Sequence, residues 1–252
     1  LVKEFLGNLE LNKVYCMDCI EGMKLIPDKS IDMILCDLPY GTTACKWDVV
    51  IPFNDLWKQY ERIIKDRGAI VLTAVQPFSS ALVMSNPKLY KHKWEWDKVK
   101  PSGFQVAKYR PMQRVEDVLV FGKGKINYYP IMEKRDKVKV SKVYSSSDSN
   151  PLKYNDNKER KYTHKYPQSL LVFSNANQKN KVHPTQKPVE LFEYLIKTYT
   201  QENEIVLDNC MGSGTTAVAA LKSNRKFIGF EISKEYVEIA NKRINDILNN
   251  LQ

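Results

Sequence analysis

Asp37, Leu38, Pro39 and Tyr40 stand in a row at the end of the apolar run 31–36. Such a run reads as a short buried strand, which Pro39-Tyr40-Gly41 must break into a loop. One carboxylate, one backbone carbonyl and one aromatic ring then share the carboxyl end of a strand, the edge at which open α/β sheets bind ligands. The trio suits a flat heterocycle carrying an amino group. Asp37 can accept one N–H, the Leu38 carbonyl can accept the other, and Tyr40 can stack on the ring. Pro39 brings no N–H to compete, and its fixed φ stiffens the loop. A strand that ends in a Pro-Tyr turn with Asp37 as a cap has the same four residues, so the rest of the chain must decide.

A second constellation lies towards the other end. Ile205-Val206-Leu207-Asp208 reads as a buried strand ending in an acid. Asn209-Cys210-Met211-Gly212-Ser213-Gly214-Thr215-Thr216 follows and opens a helix, and the next strand, 227–231, ends in Glu231. Strand, Gly-x-Gly, helix, strand, acid is the layout of a nucleoside-binding βαβ unit. The glycines let the backbone approach a ligand, and Glu231 can take two ribose hydroxyls. Ala217 stands where a dinucleotide fingerprint has its third glycine, which that pattern tolerates, so spacing leaves a nicotinamide cofactor open. A P-loop is excluded, since no Gly-Lys-Ser/Thr follows. Asp18, just past the short apolar run 14–16, can bond a ligand's amino or hydroxyl groups or cap the next helix.

These residues need a parallel sheet to bring them together, and the chain supplies its elements. Residues 53–65 carry apolar side chains at helical spacing, closed by Asp66-Arg67-Gly68. A strongly apolar strand over 69–74 and a helix over 77–84 follow, with Pro77 near its first turn. Strand, helix, strand, helix argues for parallel pairing. Residues 94–100 and 116–121 read as two more strands, separated by a polar stretch. Beyond Gly122-Lys123-Gly124 the periodicity fades, and 145–150 is a low-complexity serine run expected to be mobile. A short strand at 170–173 precedes the stiff turn His183-Pro184-Thr185-Gln186-Lys187-Pro188, which runs into a helix over 189–199. Ser233 caps a last amphipathic helix. No internal repeat is present.

The net charge of +10 is unevenly spread. Residues 88–165 hold twenty Lys/Arg against nine Asp/Glu, while the remainder of the chain is nearly balanced. Aromatics including Tyr90, Trp94, Trp96, Phe104, Tyr109, Tyr128 and Tyr162 are interleaved there. Such a block suits a surface that contacts phosphates and reads bases, and it is also what a solvated lysine-rich face has. The five cysteines are an odd number, scattered near strand ends, which suits reduced thiols in a cytoplasm. Cys16-x-x-Cys19 lacks a second ligand pair, so no metal is expected. No stretch has the length of a membrane span, and no signal-peptide pattern opens the sequence.

Taken together, Asp37-Leu38-Pro39-Tyr40-Gly41, a basic variable segment, His-Pro-Thr-Gln-Lys-Pro, and Leu-Asp-x-x-x-Gly-Ser-Gly-Thr-Thr resemble the β-group amino DNA methyltransferases. The order of the motifs is that group's permuted order, and the likeness covers nearly the whole chain. It implies a Rossmann-like α/β methyltransferase fold: a mostly parallel twisted sheet, helices on both faces and a basic target-recognition insert. Residues 1–87 would be the catalytic half, 88–165 strands plus the recognition region, and 166–252 the cofactor-binding half. The implied activity is methyl transfer from S-adenosylmethionine to the exocyclic amine of a flipped base in DNA. Asp37 and the Leu38 carbonyl would hold that amine, with Pro39 between them, and Tyr40 would stack on the base. Asp208, Gly212 and Gly214 would line the methionine end of the cofactor, Glu231 would bind its ribose, and Asp18 would sit near its adenine. Thr185 and Lys187 fall in the family's cofactor motif before a helix, with Lys187 on the methionine side. Implied partners are DNA, a homodimer partner and a cognate restriction endonuclease.

Two departures stand out. Leu38 replaces the usual first proline, which keeps the carbonyl but loosens the loop. Asn209 and Cys210 replace Pro-Phe, which removes an aromatic wall from the cofactor pocket. Asp at position 37, rather than Ser, tilts the target towards adenine N6 over cytosine N4. The rival readings are an RNA or protein-glutamine methyltransferase, a catalytically silent DNA-binding protein, and a nicotinamide-dependent dehydrogenase. The last would have no need of the Asp-x-Pro-Tyr loop.

Overall fold

The computed structural model describes residues 3–41, 48–141, 159–175 and 186–250. A small hairpin, β1 (Phe5–Leu6) and β2 (Leu9–Glu10), precedes β3 (Lys13–Cys16), α1 (Cys19–Lys24) and β4 (Ile31–Asp37). Then come α2 (Phe53–Ile63), β5 (Ile64–Ala74), α3 (Phe78–Ser85), β6 (Tyr90–Ser102) and β7 (Gln113–Phe121). The pair β8 (Glu133–Ser141) and β9 (Arg160–Lys165) is followed by β10 (Leu170–Val172) and α4 (Val189–Tyr199). β11 (Ile205–Asp208), α5 (Thr215–Lys222), β12 (Lys226–Glu231) and α6 (Lys234–Asn250) complete the chain.

Eight strands form one sheet in the order β10-β6-β7-β5-β4-β11-β12-β3. Only the pairings of β7 are antiparallel; the others are parallel. Alternation along the central strands sorts side chains to two faces. Met33, Leu35, Ala69, Val71, Val206 and Phe227 pack with α4, α5 and α6 on one face. Ile34, Cys36, Ile70, Leu72, Leu207 and Ile228 pack with α1, α2 and α3 on the other. The expected Rossmann-like arrangement is therefore present, with both faces covered as a parallel sheet requires.

Some boundaries differ from the sequence reading. The helix over 53–65 stops at Ile63, because Ile64 turns to an extended conformation (ψ 136°) and starts β5 in register with Ile31. Lys65, Asp66 and Arg67 thus extend a strand rather than close a helix. β6 and β7 are longer than 94–100 and 116–121, since their polar outer ends still pair, as Ser102 does with Gln113.

Residues 130–168 make a separate compact unit, built on the antiparallel β8–β9 pair. Its strands escaped the periodicity test because Lys, Arg and Glu occupy positions on both faces and erase the apolar alternation. The serine run at 145–150 lies outside the described residues.

Candidate active site

β4, β5, β6 and β11 all end at one edge of the sheet, and antiparallel β7 begins there. The period-two pattern that buries Met33 and Leu35 places Asp37 on the same face, just where the strand leaves the core. By the same count Thr73 follows Val71, Asp208 follows Val206, and Lys98 follows Trp94 and Trp96. Glu116 precedes Val118 and Val120 on β7. Five polar groups therefore reach the carboxyl edge from five neighbouring or near-neighbouring strands.

Asp37 is the hub. Its Oδ1 accepts from the Tyr40 hydroxyl at 2.6 Å and from the Thr73 hydroxyl. Its Oδ2 accepts from the Lys187 ammonium at 2.8 Å. Lys187 sits 3.6 Å from Glu116 and 5.6 Å above the Tyr40 ring. Burial works against its charge, but Asp37 and Glu116 outweigh that and raise its pKa above the usual lysine value. The Tyr40 ring packs on Phe78, centroids 5.1 Å apart, with its hydroxyl turned inward. Burial, reinforced by the Asp37 and Glu116 charges, holds that phenol well above its ordinary pKa, so it stays a donor.

The second constellation gathers beside the first. Asp208 is buried, its Oδ1 accepting from the Cys210 N–H at 2.9 Å and its Oδ2 from the Thr216 hydroxyl. Burial raises its pKa to about 6 despite those bonds. Glu231 accepts from the Gly212 N–H at 2.8 Å through Oε2 and from the Ser233 N–H at 2.9 Å through Oε1. Asp18 caps α1, accepting from the Ile20 and Glu21 N–H groups at 2.9 and 3.0 Å. Tyr60 donates to Asn209 Oδ1 at 2.6 Å, fixing the residue that stands in place of the expected proline. Cys19 and Cys210 lie side by side near buried Cys36, and burial pushes the Cys36 thiol up to about 12. These thiols are protonated at neutral pH.

One cavity of about 730 Å³ joins the two constellations. Asp18, Asp37, Leu38, Pro39, Tyr40, Lys187, Asp208, Gly212 and Glu231 all border it. Gly212 lies at φ +51° with nothing but the Cys210 carbonyl, 4.0 Å away, near where a Cβ would stand, so a ligand can approach its backbone. Gly214 has a different position. Its φ is +84° at the start of α5, and a Cβ there would come 2.9 Å from that of Ala240 on α6, so the residue serves helix packing behind the wall. Thr185 lies outside the described residues. Lys187, expected near the cofactor's methionine, has its ammonium on Asp37.

Sequence reasoning passed over Lys98, Glu116 and Thr73. The signal was the alternation itself: a lysine two places after Trp96 and four after Trp94, and a glutamate two before Val118, put charges on a buried face.

The cavity has the Asp37 carboxylate at one end and a glycine turn with paired acids at the other. The sequence model described as "DNA methylase" matches residues 31–242. The chain belongs to this DNA methylase family. Among curated relatives, the Type II methyltransferase M1.MboII of Moraxella bovis is 29% identical over 265 residues, covering 95% of this chain and 98% of its own. The DNA adenine methyltransferase YhdJ of Escherichia coli (strain K12) is 29% identical over 248 residues, covering 90% and 81%. Among solved structures, the M1.HpyAVI–SAM complex superposes with a TM-score of 0.66 at 26% identity over 92% of this chain and 98% of that one. The cytosine-N4-specific PvuII DNA methyltransferase matches at TM-score 0.64 and 19% identity, over 94% and 91%, a likeness of fold. The methylase thus joins its family through a stretch, 31–242, that contains the Asp37–Tyr40 loop, Lys187 and the Asp208–Glu231 wall, with Asp18 preceding it. Among its described residues, no helix is long and apolar enough to cross a membrane.

Proposed function

We propose that the methylase transfers a methyl group from S-adenosylmethionine to the N6 amine of an adenine flipped out of DNA. The observation that carries this is the shared cavity, which brings the Asp37–Tyr40 loop and the Asp208–Gly212–Glu231 wall to one space. The residues fit the cofactor: an unencumbered glycine backbone at Gly212, and carboxylates at Glu231 and Asp18 that keep acceptor capacity beyond the N–H groups they already bind. Glu231 would hold the ribose, Asp18 would sit near the adenine end, and Asp208 and Gly212 would face the methionine end. Gly214 shapes the turn, and Thr185 completes the motif before α4. Once bound, the cofactor supplies an electrophilic methyl on a sulfonium.

The chain's own residues do the rest. An amine conjugated to an aromatic ring is a weak nucleophile. Asp37 and the Leu38 carbonyl, each accepting one N–H, would pull the hydrogens aside and localise the lone pair towards the methyl. Pro39 holds those acceptors in place, and Tyr40 would turn its ring to the base. No covalent enzyme intermediate is needed; positioning and electrostatics supply the rate. The base cannot be reached inside a duplex and has to be flipped or already unpaired.

Adenine is favoured over cytosine by Asp at position 37 and by the likeness to YhdJ, an adenine methyltransferase by name. Residues 88–165 would recognise the target, their cationic excess meeting phosphates. The reading extends to a cognate restriction endonuclease, in keeping with relatives named Type II methyltransferases, to a cytoplasmic location alongside DNA, and to a homodimer that sedimentation would detect. The direct test is Asp37→Ala. Transfer to DNA should fall by about two to three orders of magnitude while cofactor affinity stays within roughly threefold. An alanine variant that kept most of its activity would refute the assignment.

A further inference from the structure

Glu116 has no part in the mechanism above, yet its position is unusual. It lies at the start of β7, paired with the fully buried Trp96, and its side chain borders the cavity. One oxygen, Oε1, accepts from the Lys98 ammonium at 3.0 Å. The other, Oε2, is buried and has no hydrogen-bond partner among the described residues. A buried carboxylate oxygen without a donor is costly, so its retention calls for a partner that arrives. Besides Lys98, the Lys187 ammonium stands 3.6 Å from Oε2 and donates to Asp37 Oδ2.

Asp37 has both oxygens engaged, Oδ1 by Tyr40 and Thr73 and Oδ2 by Lys187. The target amine needs one of them. We infer that Glu116 is a positioning residue that takes over the Lys187 ammonium when the target amine displaces it from Asp37 Oδ2. The inference rests on the reading of Asp37 as the amine acceptor. A movement of about 1 Å brings Lys187 Nζ from 3.6 Å to hydrogen-bond distance of Oε2. The two ammoniums of Lys98 and Lys187 continue to offset the carboxylates of Asp37 and Glu116, and Lys187 stays close enough to balance Asp37 while the amine is held.

Lys98 is held in turn. β6 is irregular between Asp97 and Ser102, where Val99 adopts φ +65°, a conformation disfavoured for a β-branched residue. Asp97 fixes that turn by accepting from the Val99 N–H and from Arg114 through both oxygens, each at 2.7 Å. Lys98 itself follows Trp94 and Trp96 to the inner face, where it is only 3% exposed. The charged groups around Lys187 are then Asp37 from β4, Glu116 from β7 with Lys98 of β6 behind it, and Asp208 of β11 on the far side of Asp37. The Tyr40 phenol completes the set.

The test is Glu116→Gln, which keeps the shape and presents a neutral group to Lys187. Its kcat should fall roughly tenfold with S-adenosylmethionine affinity unchanged. The alkaline limb of its kcat–pH profile should move down by about one pH unit, since Lys187 then faces Lys98 with one carboxylate fewer. Glu116→Asp, which keeps the charge but retracts it, should lose rate with the alkaline limb in place. It also serves if the glutamine variant fails to fold. Full activity in Glu116→Gln, or a loss of rate with no shift of the limb, would overturn the inference. Asp37→Ala measured alongside separates the failures: an active Asp37→Ala removes the reading of the site, whereas an inactive one beside an unaltered Glu116→Gln removes only the role of Glu116.

Discussion

Asp208→Asn should make the ligand-free methylase more stable at pH 8 and leave it unchanged near pH 3.5. Asp208 is buried at 3% exposure, and burial holds its carboxyl at about 6 against an ordinary 3.8. Below 3.8 both the folded and unfolded chains keep the proton, and the group costs nothing. Between about 4 and 6 the unfolded chain has released it and the folded chain has not, so stability falls as pH rises. Above 6 the folded protein carries a buried charge at full cost. A shift of roughly two units corresponds to about 3 kcal/mol, an upper limit because asparagine must replace both acceptors. Its carbonyl can accept from the Cys210 N–H, and the Thr216 hydroxyl can turn to accept from the new NH₂. In a chain of this size that gain raises Tm by roughly 5–10 °C at pH 8. Thermal unfolding of both proteins at pH 3.5, 6 and 8 reads the difference, and the same series with S-adenosylmethionine should show weaker stabilisation of the variant. A Tm difference independent of pH, or a variant less stable at pH 8, would refute the reasoning.

Gly214→Ala should cost about 2–4 kcal/mol in chemical denaturation, from a side chain at φ +84° and a Cβ pressed to 2.9 Å from Ala240. Leu38→Pro should keep the transfer rate within about threefold, because the acceptor is the backbone carbonyl, while losing about 1–2 kcal/mol of stability with a buried leucine side chain. A collapse of rate there, with the fold intact by circular dichroism, would show that position 38 contributes more than its carbonyl.

The sheet and both constellations were legible because the central strands are short apolar runs that end in acids, and runs such as 31–36 and 205–208 leave one place for Asp37 and Asp208 to emerge. Helix 189–199 was equally plain, its apolar stripe following Pro188. The charged couplings were not. The Lys187–Asp37 contact joins residues 150 positions apart, and no local pattern encodes which of several polar groups at a sheet edge meet. Lys98 and Glu116 were hidden for a related reason, since a charge in a basic segment reads as solvated until strand pairing sets it beside Trp96. Gly214 carries a second constraint that its spacing did not reveal, the close approach of α5 to Ala240 on α6.

The central claim is tested most directly by incubating the purified protein with methyl-labelled S-adenosylmethionine and mixed-sequence DNA, then digesting the DNA to nucleosides. The account predicts label in N6-methyladenine. Label in N4-methylcytosine would contradict the choice of base, and unlabelled DNA from a protein that binds the cofactor would contradict the reaction itself.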